Sequence, residues 1–300
     1  MASDFGKKVN FQSKSYFDYF EFIDILYFII LGIFLFFLVI NILDFVCKTP
    51  LKIKNSQTDI TFLLITFAVI VLLQLPYLFV YYPGNLSVDS FFSMYQALGL
   101  MPYDNHHPIA FTLFVNACLK LGLLFGKLDF AVSVFSFAQL IILALVLSYF
   151  VYWLKKKGVP KYILVLVALF FGLNPVICMY SITMWKDIMF SAWILLLILL
   201  LYDIVESDGK LLCSAKGLSL LIVNCLLISF GRNNGFYVVI IVLASLLIYY
   251  RSHYKLLLPG FLLTIITICI IQGPVYESLG IGKSHFAESV GIPIQQIGYT

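Results

Sequence analysis

Four short polar stretches hold most of the residues in this sequence whose types could do chemistry. The first, Tyr81-Tyr82-Pro83-Gly84-Asn85-Leu86-Ser87-Val88-Asp89-Ser90, offers the carboxylate of Asp89. The second runs from Tyr103 to Pro108 and holds Asp104 with the adjacent His106 and His107. The third is Met184-Trp185-Lys186-Asp187 and the fourth Gly231-Arg232-Asn233-Asn234-Gly235. A last polar segment adds Glu277, Lys283, His285, Glu288, Gln295 and Gln296. Two carboxylates (Asp89, Asp187), two histidines, a lysine and an arginine are the groups needed to handle a polar, anionic head group. Arg232 is the hardest to set aside, because lysine is otherwise this chain's cation and a guanidinium fork suits bidentate phosphate binding. The glycines and asparagines of its turn, Asn233 among them, also let backbone N–H groups face an anion.

Each of these residues has a plainer reading. Asp89 could cap a helix running from Phe91 to Leu100, since an Asx residue before an apolar stretch is a good N-cap. His106-His107-Pro108 reads as a turn leading into the next helix. Adjacent histidines point in different directions in most backbones, which disfavours a metal pair. Lys186-Asp187 at a helix start reads as a solvated pair, with Asp187 complementing the helix dipole.

The segments that must position these residues are apolar. Hydrophobic residues make up 62% of the 300 and charged residues only 11%, against about a quarter in a soluble domain. A mean hydropathy of +1.02 with 17% aromatics leaves more apolar surface than a soluble fold of this size can bury, so the chain reads as an all-α polytopic membrane protein. The net charge of +4 is small and scattered, which argues against nucleic-acid binding. Six cysteines stand singly with no CxxC pair, which argues against a disulfide framework and a zinc site. The first apolar run lacks a small-residue cleavage site before it and reads as a retained anchor.

A spanning helix needs about 20 apolar residues. Runs near 25–46, 60–82, 131–154, 162–181, 187–204, 217–231, 233–250 and 256–273 make about eight transmembrane helices. Pro76 and Pro175 should kink or end the runs that hold them. Residues 109–125 differ: Thr112, Asn116 and Lys120 fall four apart, in one polar stripe, and fit an interfacial amphipathic helix better than a span with a snorkelling Lys120. The organisation expected is an N-terminal segment 1–59 with an anchor and a basic loop, a transmembrane core 60–273 with an external loop 83–130, and an external segment 274–300. Lys155, Lys156, Lys157 and Lys161 place their loop in the cytoplasm. Counting positive charges does not decide whether 109–125 lies flat or spans. If it lies flat, all the polar stretches share one external rim above an apolar bundle, as expected where a head group is handled while its lipid tail stays in the bilayer.

The order of these features resembles the GT-C membrane glycosyltransferases that use polyprenyl-phosphate-linked sugars. The residues that carry the resemblance are Asp89 in a first external loop, His107-Pro108 leading into the surface helix 109–125, Asp187 at the external start of a later span, and Arg232 near the next external turn. More narrowly it resembles a bacterial branch of that superfamily, with Trp-Lys-Asp (185–187), Arg-Asn-Asn-Gly (232–235) and a late Ile-Pro-Ile-Gln-Gln (292–296). The resemblance covers about 60–300 and favours the flat-helix topology. Such proteins usually continue with further spans, so more chain is expected after Thr300, and many carry lysine where this chain has Arg232.

The resemblance implies inverting transfer of a sugar from a polyprenyl phosphate to a glycan, lipid or protein acceptor on the outer face of the cell membrane. Asp89 would take the acceptor's proton, and Lys186 and Arg232 would hold the phosphate, with His106 or His107 donating to it. Asn233, Gln295 and Gln296 would join the substrate-binding set. Asp187 would orient Lys186 or, with Asp89, ligate a magnesium or manganese ion, for which hard carboxylate oxygens are suited. The alternatives are a polytopic transporter or lipid flippase, with Gln74-Leu75-Pro76, Asn174-Pro175 and Asn224 as its polar features inside spans, and a non-catalytic partner in envelope assembly.

Overall fold

The computed structural model describes residues 60–282 and scattered positions between Leu26 and Asn41. The chain divides into two compact units, Met1–Ile53 and Lys54–Thr300. In the first, the described positions between Leu26 and Asn41, within the run 25–46, are helical. The rest of that segment, and Gln295 and Gln296, lie outside the described residues.

The second unit is helical. Helix α1 spans Ile60–Val80, and Pro76 lies inside it without ending it. Its buried residues, Thr66, Ile70, Gln74 and Leu78, recur every four positions on one face, which packs on α4 and α5. Phe62, Phe67, Val71 and Leu75 are partly buried beside them, while Leu64, Leu72 and Phe79 are among the residues that face outward. A two-residue strand β1 (Asn85–Leu86) and helix α2 (Val88–Ala97) follow. Helices α3 (Ile109–Leu123) and α4 (Leu128–Lys156) form a hairpin around a close approach: a Cβ on Gly122 would stand 2.3 Å from the Ala131 Cα.

The run at 162–181 is broken where Pro175 foretold. Helix α5 (Lys161–Leu173) ends, and α6 (Pro175–Ser181) leaves at 58°. Asn174 caps α6, its Oδ1 accepting from the Val176 N–H at 2.9 Å, and Pro175 takes the first helical position, where no N–H is needed. Strand β2 (Thr183–Met184) and helix α7 (Lys186–Glu206) come next, then α8 (Ala215–Gly231), α9 (Gly235–Tyr249) and a helical run from Arg251 to Ser278.

Among the described residues, four helices are long and apolar enough to cross a membrane (α1, α4, α7 and the run 251–278), and the bent pair α5–α6 makes a fifth if counted as one. This is the build of a helical membrane protein. Helices α3, α8 and α9 are apolar but shorter, at 15, 17 and 15 residues. The polar stripe expected on α3 is not a water-facing one. Thr112 is buried, Asn116 donates to the Ala97 carbonyl at the end of α2, and of the three only Lys120 is exposed.

At the lysine-rich end, Lys157 contacts Asp203 at 2.6 Å and Glu206, and lies over the rings of Trp153 and Tyr202. The Trp153 indole N–H also donates to Asp203 at 3.0 Å, so this cluster staples α4 to α7.

Candidate functional site

The site is built by the two short strands. β1 and β2 pair in parallel, Asn85 with Thr183 and Leu86 with Met184, although almost a hundred residues separate them. Each strand runs directly into a helix, so the register sets the N-termini of α2 and α7 side by side. Asp89 lies in the first turn of α2 and Lys186 opens α7.

Three devices hold this junction. Gln139 on α4 donates to the carbonyls of Tyr180 and Ser181 at the end of α6 and of Thr183 in β2. The Ser90 hydroxyl donates to the Met184 carbonyl at 2.6 Å. Gly84 precedes β1 at φ +131°, where a Cβ would stand 2.0 Å from the Ser136 hydroxyl, so only glycine fits there.

Lys186 is the centre of the resulting cluster. Its Nζ is 3.2 Å from Asp89 Oδ2 and 2.8 Å from His107 Nδ1. An ammonium group only donates, so Nδ1 accepts and the imidazole proton sits on Nε2. His107 is buried, its ring lying near Phe92 and His106, with centroids at 6.3 and 4.4 Å. Burial, then the charge of Lys186, then that of His106, push its pKa down to about 4 against the weaker pull of Asp89 and Asp104. His107 is therefore neutral at physiological pH, and its Nε2–H has no hydrogen-bond partner within the described structure. A buried donor left unpaired costs free energy until an acceptor arrives.

A second ion pair stands one residue away. Arg232 Nη1, just past the end of α8, is 3.1 Å from Asp187 Oδ1, and the guanidinium lies over the Phe190 ring at 5.7 Å. The contact lacks hydrogen-bond alignment, since that carboxylate oxygen is buried and makes no hydrogen bond. Asn233 does not face the cluster but donates to the Asn105 carbonyl at 2.7 Å, tying the arginine turn to the histidine loop. His106 is exposed at the rim, its backbone N–H on Asp104.

Sequence reasoning placed Asp89, His107, Lys186, Asp187 and Arg232 on one rim, and the structure brings them together. It corrects the pairing: Lys186 is oriented by Asp89 and His107, while Asp187 belongs to Arg232. It also corrects the cap, since α2 begins at Val88 with Ser87 as N-cap and ends at Ala97, leaving Asp89 within its first turn. The two carboxylates do not fit a shared divalent cation in this arrangement. Each already holds a cationic side chain, and no group of three or more His, Cys, Asp or Glu gathers among the described residues.

Two features had no signal in the sequence. One is a cavity of about 1000 Å³ between α3, α7, α8 and the end of the run 251–278, with Phe111, Phe114, Trp193, Phe230 and Tyr276 in its walls. Among the described residues, Lys186 is the one charged residue that lines it. The other is a backbone clamp at its rim. Gly282 donates to the Tyr103 carbonyl at 2.9 Å and accepts from the Asn105 N–H at 2.8 Å, which seats the histidine loop against the chain leaving Ser278. A Cβ on Gly282 would lie 3.3 Å from that of Asp104, close to the separation a disulfide spans. The double variant Asp104→Cys, Gly282→Cys is expected to form that disulfide on mild oxidation, detected as a cross-linked peptide by mass spectrometry.

The buried neutral histidine also sets a pH dependence. Because the folded pKa lies below the ordinary 6.5, stability present above pH 6.5 is lost as pH falls towards about 4, where the unfolded chain binds a proton that the folded one resists. Thermal unfolding in detergent is expected to show this loss between pH 7 and 4.5, with a shallower slope in His107→Gln.

No curated protein and no solved structure matches the chain. Residues 102–300 match DUF6020, a family of unknown function. The matched span holds the histidine loop, Lys186, Asp187 and Arg232, and starts after Asp89. With two thirds of its length matched, the chain belongs to the DUF6020 family.

Proposed function

We propose that this protein is a GT-C-like membrane glycosyltransferase that moves a sugar from a polyprenyl-phosphate carrier to an acceptor on the outer face of the plasma membrane, in the assembly of a cell-envelope glycan or glycolipid. The observation that carries this reading is the double position of Lys186, which stands in the polar cluster and in the wall of a large apolar cavity. An amphiphile with a phosphate head and a hydrocarbon tail suits such a place, its head at Lys186 and its tail in the cavity. In this reading the shorter helices α8 and α9 join the five longer candidates and the N-terminal anchor to make eight spans, and α3 lies at the external interface.

The chemistry follows from the cluster. The acceptor hydroxyl attacks the anomeric carbon and the bond from that carbon to the phosphate oxygen breaks, releasing polyprenyl phosphate. Asp89 takes the hydroxyl proton. Lys186 and Arg232 balance the charge that grows on the phosphate, and the His107 Nε2–H supplies a neutral hydrogen bond to it. The protein can provide all of these groups from its own side chains.

The transporter alternative draws less support, because its polar features are engaged within the fold. Gln74 donates to the Phe171 carbonyl, Asn174 caps α6, and Asn224 donates to the Trp193 carbonyl.

Native mass spectrometry of protein purified in mild detergent tests the reading. Wild type is expected to carry a polyprenyl phosphate or its glycosylated form, and Arg232→Ala to lose most of it. A folded wild type that retains no such lipid, even when it is supplied, would contradict the proposal.

A further inference from the structure

Helix α2 is amphipathic in the opposite sense to a helix lying in water. Its polar residues Ser90, Ser93 and Gln96 are buried against the protein, while Val88, Phe91, Phe92 and Tyr95 are exposed. Those four fall at i, i+3, i+4 and i+7, which makes one continuous outward face. The face does not end with the helix. Phe79, Val80 and Tyr82 precede it and Leu100 and Met101 follow it, all exposed. Apolar surface of this extent on a water-facing loop would be an aggregation liability.

The helix has 10 residues and so is about 15 Å long, half of what a bilayer crossing needs. It follows closely in the chain on the end of α1, whose exposed side is apolar from Leu64 to Val80. Aromatic residues on a short helix beside the end of a spanning helix are suited to the boundary between head groups and acyl chains.

We propose that the face of α2 formed by Val88, Phe91, Phe92 and Tyr95 rests in the interfacial layer of the bilayer, and that the Asp89–Lys186–His107 cluster therefore opens at head-group depth. Asp89 lies in the first turn of this helix, and Phe92, one of the four outward residues, has its ring 6.3 Å from that of His107. The stretch 83–130 is thus a membrane-seated platform at its start, where the sequence alone suggests an external loop. A molecule reaching Asp89 from this side comes from among the lipid head groups. The inference rests on burial and spacing and stands whether or not the protein transfers sugars.

The test uses Phe91→Trp in the full chain, reconstituted in phosphatidylcholine vesicles whose acyl chains are brominated near the head group. Subtracting the wild-type signal removes the contribution of the 3 native tryptophans. The difference emission is expected to fall at least about twofold in brominated vesicles relative to unbrominated ones and to resist aqueous iodide. Quenching by iodide without quenching by bromine would place the face in water and overturn the proposal. Quenching by neither would mean that another part of the chain or a second copy covers the face, and would overturn it equally. Tyr95→Trp, on the same face, provides the same readout if Phe91→Trp folds poorly.

Discussion

Lys186→Met is expected to lower sugar transfer by a factor of about 10²–10³ or more, the range seen when one preorganised donor to a developing oxyanion is removed. Methionine keeps an unbranched chain in the cavity wall and deletes only the charge. The loss is large because Lys186 has three roles at once. It holds Asp89 at 3.2 Å, fixes the proton of His107 on Nε2 through the 2.8 Å contact at Nδ1, and faces the cavity. Without it, the half-exposed Asp89 presents a bare carboxylate where a phosphate should bind, and repulsion adds to the missing attraction. Retention of the carrier lipid should therefore fall together with turnover. The measurement is transfer of radiolabel from a polyprenyl-phosphate sugar into acceptor, alongside native mass spectrometry of bound lipid. Activity within about tenfold of wild type would reduce the cluster to a structural ion pair.

Asp89→Asn is expected to cost as much turnover, about 10²–10⁴, through the loss of the proton acceptor. It should leave the carrier lipid in place. The amide oxygen can still accept from Lys186, so the geometry at the start of α2 persists, and Ser90 continues to hold that turn to Met184. Removing a carboxylate beside the phosphate site also lowers repulsion, so lipid retention should hold or rise. The contrast between the two variants separates binding from chemistry, since one loses both and the other only transfer. If Asp89→Asn transfers at the wild-type rate, Asp89 is not the base and its role is to position Lys186.

The sequence made much of this site legible because few polar residues interrupt the apolar runs, and each interruption marks a loop. Asp89, Lys186 and Arg232 stood out against long stretches of Leu, Ile and Phe, and Pro175 marked the break between α5 and α6. Which groups pair was not legible. Lys186 and Asp187 are adjacent in the chain, yet successive residues at a helix start diverge by about 100°, and each finds its partner on a different element, Asp89 on α2 and Arg232 after α8. That partnership is fixed by two-residue strands almost a hundred positions apart, too short for any period to reveal. The polar stripe on α3 misled for a related reason. Spacing puts Thr112, Asn116 and Lys120 on one face but does not say what the face meets, and Asn116 meets the carbonyl end of α2. Inside a membrane protein, polar residues at helical spacing bind other helices as readily as they face water. The cavity left no trace in the sequence because its walls come from residues that would serve equally well in a core.

In the proposed function, Lys186 and His107 receive a phosphate whose hydrocarbon tail fills the cavity beside them. The most direct measurement is an electron cryo-microscopy structure of the protein in nanodiscs supplied with a polyprenyl phosphate. A phosphate oxygen is expected within hydrogen-bonding distance of Lys186 Nζ and His107 Nε2, with tail density running between Phe114 and Trp193. An empty cavity under saturating lipid, or a phosphate bound away from Lys186, would contradict it.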